Sequence, residues 1–142
     1  MAEKKKSSKK KKEKKEDKEK KEKTTSKTVM IVDDEEDIRD TIKSILESED
    51  YEVITAKDGD DALKKLKKGK NPDLVLLDIM MPGTSAKEVV KRIKNSKVIF
   101  VSVVKISESE KKDLFKQDNV IGYIQKPFDT DDLIKKVRDA VR

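Results

Sequence analysis

A chain of 142 residues suits one ordinary domain with its own core and leaves little for a second. It has no Cys and no His, which excludes disulfides, thiolate or imidazole metal ligands, imidazole acid–base catalysis and phosphohistidine chemistry on its own side chains. The net charge of +6 divides unevenly: residues 1–27 hold 14 Lys against 6 acids, a net of +8, and residues 28–142 carry a net of −2.

Residues 1–27 have Met1 and Ala2 as their only apolar side chains. Such a segment buries too little surface to offset the entropy of ordering it, so a disordered Lys-rich tail is expected. Glu16 with Lys20 and Glu19 with Lys23 sit at helical spacing and support transient helix at most. The composition changes at Thr28, where the folded domain (28–142) is expected to begin.

Val29-Met30-Ile31-Val32 predicts a buried strand, and Ile38, Ile42, Ile45 and Leu46 predict a helix over 35–48. A second strand is read at 51–55. A second helix over 59–68 carries Ala62, Leu63 and Leu66 and is stopped by Gly69. Leu74-Val75-Leu76-Leu77 is a fully apolar third strand, and Ala86, Val89, Val90 and Ile93 mark a helix over 85–94. Val98 to Val101 is a fourth strand, 107–117 a weakly amphipathic helix, 120–124 a fifth strand and 130–141 a fifth helix. Short apolar strands alternating with helices predict an α/β fold, a doubly wound parallel five-stranded sheet covered on both faces. In such sheets function gathers at the carboxyl ends of the strands.

Those ends carry Asp33-Asp34, Asp78, Ser102 and Lys126. Asp33 and Asp34 alone read equally well as a helix cap with an acidic first turn. Asp78 follows four apolar residues and so sits at the rim of the core. If strand three lies beside strand one, three carboxylates share one pocket. At an effective dielectric of about 20, two unit charges ~4 Å apart cost roughly 4 kcal/mol. Raised pKa values or a divalent cation must offset that. Oxygen-only donors favour a hard ion, Mg²⁺ before Zn²⁺. The Lys126 ammonium and the Ser102 hydroxyl suit phosphoryl oxygens, because phosphoryl transfer needs positioning and charge neutralisation more than covalent help. The product would be an acyl phosphate on Asp78.

In these stretches the chain resembles the receiver domain of two-component response regulators, of the single-domain chemotaxis type. The matching motifs are Val32-Asp33-Asp34, Leu77-Asp78-Ile79-Met80-Met81-Pro82-Gly83, Ser102 and Lys126-Pro127-Phe128. The resemblance implies a flavodoxin-like (βα)5 sheet in the order 2-1-3-4-5. It implies Asp78 as phosphoacceptor, and Mg²⁺ held by Asp34, Asp78 and the Met80 backbone carbonyl, with Asp33 acting through a metal-bound water. Lys126 would bind the phosphoryl group ahead of a cis bond to Pro127, and Ser102 and Tyr123 would form the switch. A histidine kinase would be the donor, and phosphorylation would switch the surface around helix four, strand five and helix five for partner docking.

The chain departs from the family pattern at Ser85-Ala86, where Asp-Gly is usual, and at Val103, where a small residue is usual. The stretch from Asp78 to Ser102 is also short, which predicts a trimmed third helix. Met80 and Val104 would flank the phosphoryl group, and neither can orient a water, so a long-lived acyl phosphate is expected.

Rival chemistries fit less well. A flavodoxin would place flavin phosphate against Asp-Asp-Glu-Glu-Asp, which repels it. A dehalogenase-type phosphatase needs a second Asp where Met80 stands, and a nucleotide switch needs a Gly-rich phosphate loop. A phosphorelay intermediate, or a non-phosphorylated interaction module, remains as the alternative. With no output domain read in the sequence, the domain is expected to act by docking. No apolar run nears the ~20 residues of a membrane span, and no secretory signal is read, so the expectation is a cytoplasmic protein. The tail reads as a solubilising charge run, or as an arm making non-specific contact with polyanions.

Overall fold

The computed structural model of the protein describes residues 26–103 and 105–142. The expectations for the tail, save Ser26 and Lys27, and for Val104 lie outside the described residues. Five strands alternate with five helices: β1 (Thr28–Val32), α1 (Glu36–Glu47), β2 (Glu52–Ala56), α2 (Gly59–Lys67), β3 (Leu74–Asp78), α3 (Ala86–Arg92), β4 (Lys97–Ser102), α4 (Glu108–Leu114), β5 (Val120–Gln125) and α5 (Thr130–Val141).

The strands form one parallel sheet in the order β2-β1-β3-β4-β5. This is the flavodoxin-like order, with β1 and β3 side by side at its centre. Every residue of β3 is buried, because helices cover both faces of a central strand. Alternate side chains serve opposite faces. Val29 and Ile31 of β1 pack with Ile42 and Leu46 of α1 and with Leu133 and Val137 of α5. Met30 and Val32 pack with Ala62 of α2 and with Val89 and Val90 of α3, around the fully buried Phe100.

The helix ends follow local chemistry. Asp58 caps α2 by accepting from the Asp61 N–H (2.8 Å), and Ser85 caps α3 by accepting from the Glu88 N–H (3.2 Å). α2 closes in a Schellman arrangement: Gly69 N–H donates to the Leu66 carbonyl and Lys70 N–H to that of Lys65. Gly69 has φ +94° there, so this glycine stops the helix as predicted. Gly59 opens α2 against α3. A Cβ on it would lie 2.6 Å from Val89 Cγ2, so the two helices meet closely only because it has none.

α3 is trimmed, as expected, but at 7 residues it is shorter than the 85–94 reading, because Ile93 turns extended (φ −85°, ψ 118°) and is buried. α4 is shorter than the 107–117 reading. A capping box joins Ser107 and Glu110, but no α4 residue is buried, and its inner side rests on the partly buried Leu114.

The end of α1 repeats the Schellman pattern with a strained residue. Asp50 N–H donates to the Glu47 carbonyl and Tyr51 N–H to that of Leu46, and Asp50 between them has φ +69°. A non-glycine side chain in this region costs about 1–2 kcal/mol, against a smaller entropic cost for glycine. Asp50→Gly is therefore expected to stabilise the domain by about 0.5–1 kcal/mol. A urea midpoint equal to or below the wild-type value would refute this reading of the turn.

Candidate functional site

The carboxyl ends of β1, β3, β4 and β5 lie along one edge of the sheet because all the strands are parallel. Asp33 follows β1, Asp78 ends β3, Ser102 ends β4 and Lys126 follows β5. All four are buried, unusual for two carboxylates and an ammonium, while Asp34 is exposed at the rim.

Each is held in place. Asp33 N–H donates to the Ala56 carbonyl (3.2 Å), and its carboxylate accepts from the Glu35 N–H (2.9 Å). Asp78 Oδ1 accepts from the Met80 N–H (3.0 Å), so the loop after β3 folds back over the acid. Lys126 N–H donates to the Ser102 carbonyl (2.8 Å), tying the ends of β4 and β5. The Lys126-Pro127 bond is cis, as expected. Lys126 Nζ lies 2.6 Å from Asp33 Oδ2 and 3.5 Å from Asp78 Oδ2. Asp33, Asp34 and Asp78 each offer a carboxylate oxygen within 4.8 Å of the others.

The electrostatics follow from burial. Removal from water raises the Asp78 pKa. The Met80 N–H and the Lys126 charge pull it down, and Asp33 pushes it up again. Burial pulls the Lys126 pKa down, but the hydrogen bond and charge of Asp33, with the charge of Asp78, leave it raised, so the ammonium stays charged. Tyr123 is half-buried on β5. Its pKa is raised by burial and then by the Asp78 charge, which places the phenol within electrostatic reach of the site.

The structure thus brings together Asp33, Asp34, Asp78 and Lys126, with Ser102 at the adjoining strand end. One contributor escapes the motif reading. Arg39 Nη1 donates to the Asp33 carbonyl (2.7 Å) and braces the turn from β1 into α1. The available signal was a cation near a helix N-terminus, where the dipole disfavours it.

A doubly wound parallel sheet with an acidic triad and a buried lysine at the β1/β3 edge defines a class of phosphoryl-accepting signalling domain. The family model described as "Response regulator receiver domain" matches residues 29–138, and the chain belongs to that family. Such domains are the phosphoacceptors of two-component signalling, bind Mg²⁺ in an acidic pocket and interact with histidine kinases.

Among relatives, the alkaline phosphatase synthesis transcriptional regulatory protein PhoP of Bacillus subtilis is 35% identical over 104 residues. That match takes in 68% of this chain and 41% of the relative, so the chain spans under half of that protein's length. The chemotaxis protein CheY4 of Vibrio cholerae is 30% identical with a TM-score of 0.72, covering 82% of this chain and 99% of that one. The response regulator TrrA of Thermotoga maritima, solved in complex with Mg²⁺–BeF, is 37% identical with a TM-score of 0.67, covering 80% and 98%. Among the described residues no helix is long and apolar enough to cross a membrane.

Proposed function

We propose that Asp78 is the phosphoryl acceptor of this domain, with a histidine kinase or a small phosphodonor such as acetyl phosphate as the source. The observation that carries the reading is a buried ammonium, Lys126 Nζ, 2.6 Å from Asp33 and 3.5 Å from Asp78 at one sheet edge. An Asp78 carboxylate oxygen forms the new bond to phosphorus. The donor's phosphorus–nitrogen or phosphorus–oxygen bond breaks, and its electron pair leaves with the imidazole or acetate. Asp78 has to be ionised to attack, and Lys126 opposes the effect of burial to keep it so. Lys126 then lies beside the transferred group and offsets charge on its oxygens.

The donor set fits a hard divalent cation: three carboxylates within 4.8 Å of one another and no soft ligand. Asp33, Asp34, Asp78 and the Met80 backbone carbonyl would hold Mg²⁺, which supplies neutralisation of the phosphoryl oxygens when bound. The TrrA relative, solved with Mg²⁺, supports that choice. Ser102 and Tyr123 are read as the switch, from the strand end beside the site and the electrostatic reach of Asp78. Phosphorylation would alter the α4–β5–α5 surface for a docking partner, where Phe115 and Ile121 are exposed. The folded domain is taken as residues 28–142 and the Lys-rich tail as 1–27.

Incubation with acetyl phosphate and Mg²⁺ is expected to give a covalent phosphate that hydroxylamine releases, seen by intact mass, and EDTA should abolish its formation. Equal labelling with and without EDTA would remove the cation from this reading.

A further inference from the structure

The opposite end of the sheet has the reverse charge. A cleft of about 680 Å³ opens between α2 and the shortened α3. Its basic rim is Lys64, Lys67, Lys70, Arg92 and Lys94, all exposed, and Asp60 is the only acid lining it among the described residues. Asp60 is already engaged, accepting from the Thr84 hydroxyl. A second cleft shares Lys94, Asn95 and Ser96 with the first and continues the basic rim through Lys97, Lys27 and Arg142. Its one acid among the described residues, Asp73, is engaged by the Thr28 N–H at 2.8 Å. Arg92 pairs with Glu88 and Arg142 with Asp139, but Lys27, Lys64, Lys67, Lys70 and Lys94 have no salt bridge among the described residues. The segment 1–27, with its net charge of +8, joins the domain at this same end through Lys27.

We infer that this basic end is a docking face for the phosphate backbone of duplex nucleic acid. A run of cations along two joined clefts, five of them without a salt bridge among the described residues, matches a polyanion of regularly spaced charge. Among the described residues no aromatic side chain lines either cleft, so bases have nothing there to stack on, which disfavours single strands. A membrane surface fits less well. Leu63 and Leu66 are half-buried and Ile93 is buried, while the exposed large apolar residues Met80, Val103, Phe115 and Ile121 line neither cleft. Docking here would leave the acidic edge with Asp78 turned away from the polyanion and open to a kinase.

The test uses the full chain, so the tail is present in every sample. Lys67→Glu/Lys70→Glu/Lys94→Glu is compared with Lys112→Glu/Lys116→Glu/Lys135→Glu, which makes the same charge change on α4, just after it, and on α5. Fluorescence anisotropy with a labelled duplex is read across a salt series. The cleft variant is expected to bind about tenfold or more weakly than the control, with a salt slope shallower by about 3. Acetyl phosphate labelling of both variants at the wild-type rate would show that each is folded. Equal duplex affinity for the two variants overturns the proposal. So does binding to phosphatidylserine vesicles with none to duplex, which would assign the face to a membrane.

Discussion

Asp78→Asn is expected to abolish phosphoryl labelling by acetyl phosphate and at the same time to make the Mg²⁺-free protein more stable. The first effect follows because an amide oxygen cannot form the acyl phosphate, and the neighbouring acids are differently placed: Asp33 is occupied by Lys126 at 2.6 Å, and Asp34 is exposed. The second follows from burial. The folded protein raises the Asp78 pKa above its ordinary value of 3.8, chiefly by removing the carboxyl from water. The folded state therefore binds this proton more tightly than the unfolded state does. As pH rises through that window, the unfolded chain releases the proton first, and stability from this group falls. At neutral pH the ionised Asp78 carries its full cost, and the neutral Asn removes it. The gain should be present at pH 7 and disappear below about pH 4, where both states are protonated. Urea titrations at the two pH values read it directly. Labelling of the Asn variant at the wild-type level would place the acceptor elsewhere, and lower stability at pH 7 would contradict the burial account.

Lys126→Met should have the larger structural cost. The ammonium is 7% exposed and lies between two carboxylates that are themselves almost wholly buried. Methionine keeps most of the side-chain volume and deletes the charge, leaving Asp33 and Asp78 uncompensated. Breaking a buried pair in this way costs about 3–5 kcal/mol. The Lys126 pKa is raised in the folded state, so its contribution is fully present below its unfolded value of 10.5 and is lost only as pH rises beyond that. The deficit of the variant should therefore appear throughout the neutral range. It should shrink on acidification, as the two stranded carboxylates take up protons. Phosphorylation of the folded fraction should slow on the order of 100-fold, the scale for removing one preorganised donor to a developing charge. Adding Asp78→Asn to Lys126→Met should raise stability by more than Asp78→Asn raises it in the wild type, because the carboxylate it removes has then lost its buried partner. An equal gain from Asp78→Asn in both backgrounds would show that Lys126 does not act through Asp78.

The two variants also show how the site balances stability against chemistry. A buried carboxylate is poorly solvated and so costs stability at neutral pH. The same burial holds it beside a fixed cation, where a phosphoryl group can be taken up without first reorganising water. Arg39 bonding to the Asp33 carbonyl and the Met80 N–H bonding to Asp78 fix the acids so that the repulsion between them is not relieved by movement.

Much of this protein was legible in its sequence, for a physical reason. Continuous apolar strands such as Leu74–Leu77 can exist only when both faces of a sheet are covered, which settles the parallel α/β class. Gly69 ended α2 because its positive φ closes the last turn, and the short run from Asp78 to Ser102 pointed to a trimmed third helix, though the 85–94 reading ran past its observed end at Arg92. The strand-end acids, hydroxyl and lysine could be read from order alone, because parallel strands bring all their carboxyl ends to one edge. The adjacency of β1 and β3 was legible only through family resemblance, since periodicity says nothing of strand order. Other features belong to the tertiary structure. The 2.6 Å contact of Lys126 with Asp33, the brace from Arg39, and the raised pKa values of Asp78 and Lys126 depend on distances between residues up to 93 positions apart. The basic end was hidden for the same reason: Lys67, Lys70, Lys94 and Lys27 are scattered among many lysines in the sequence, and only the packing of the shortened α3 against α2, with the second cleft that joins Lys94 to Lys27, collects them on one face.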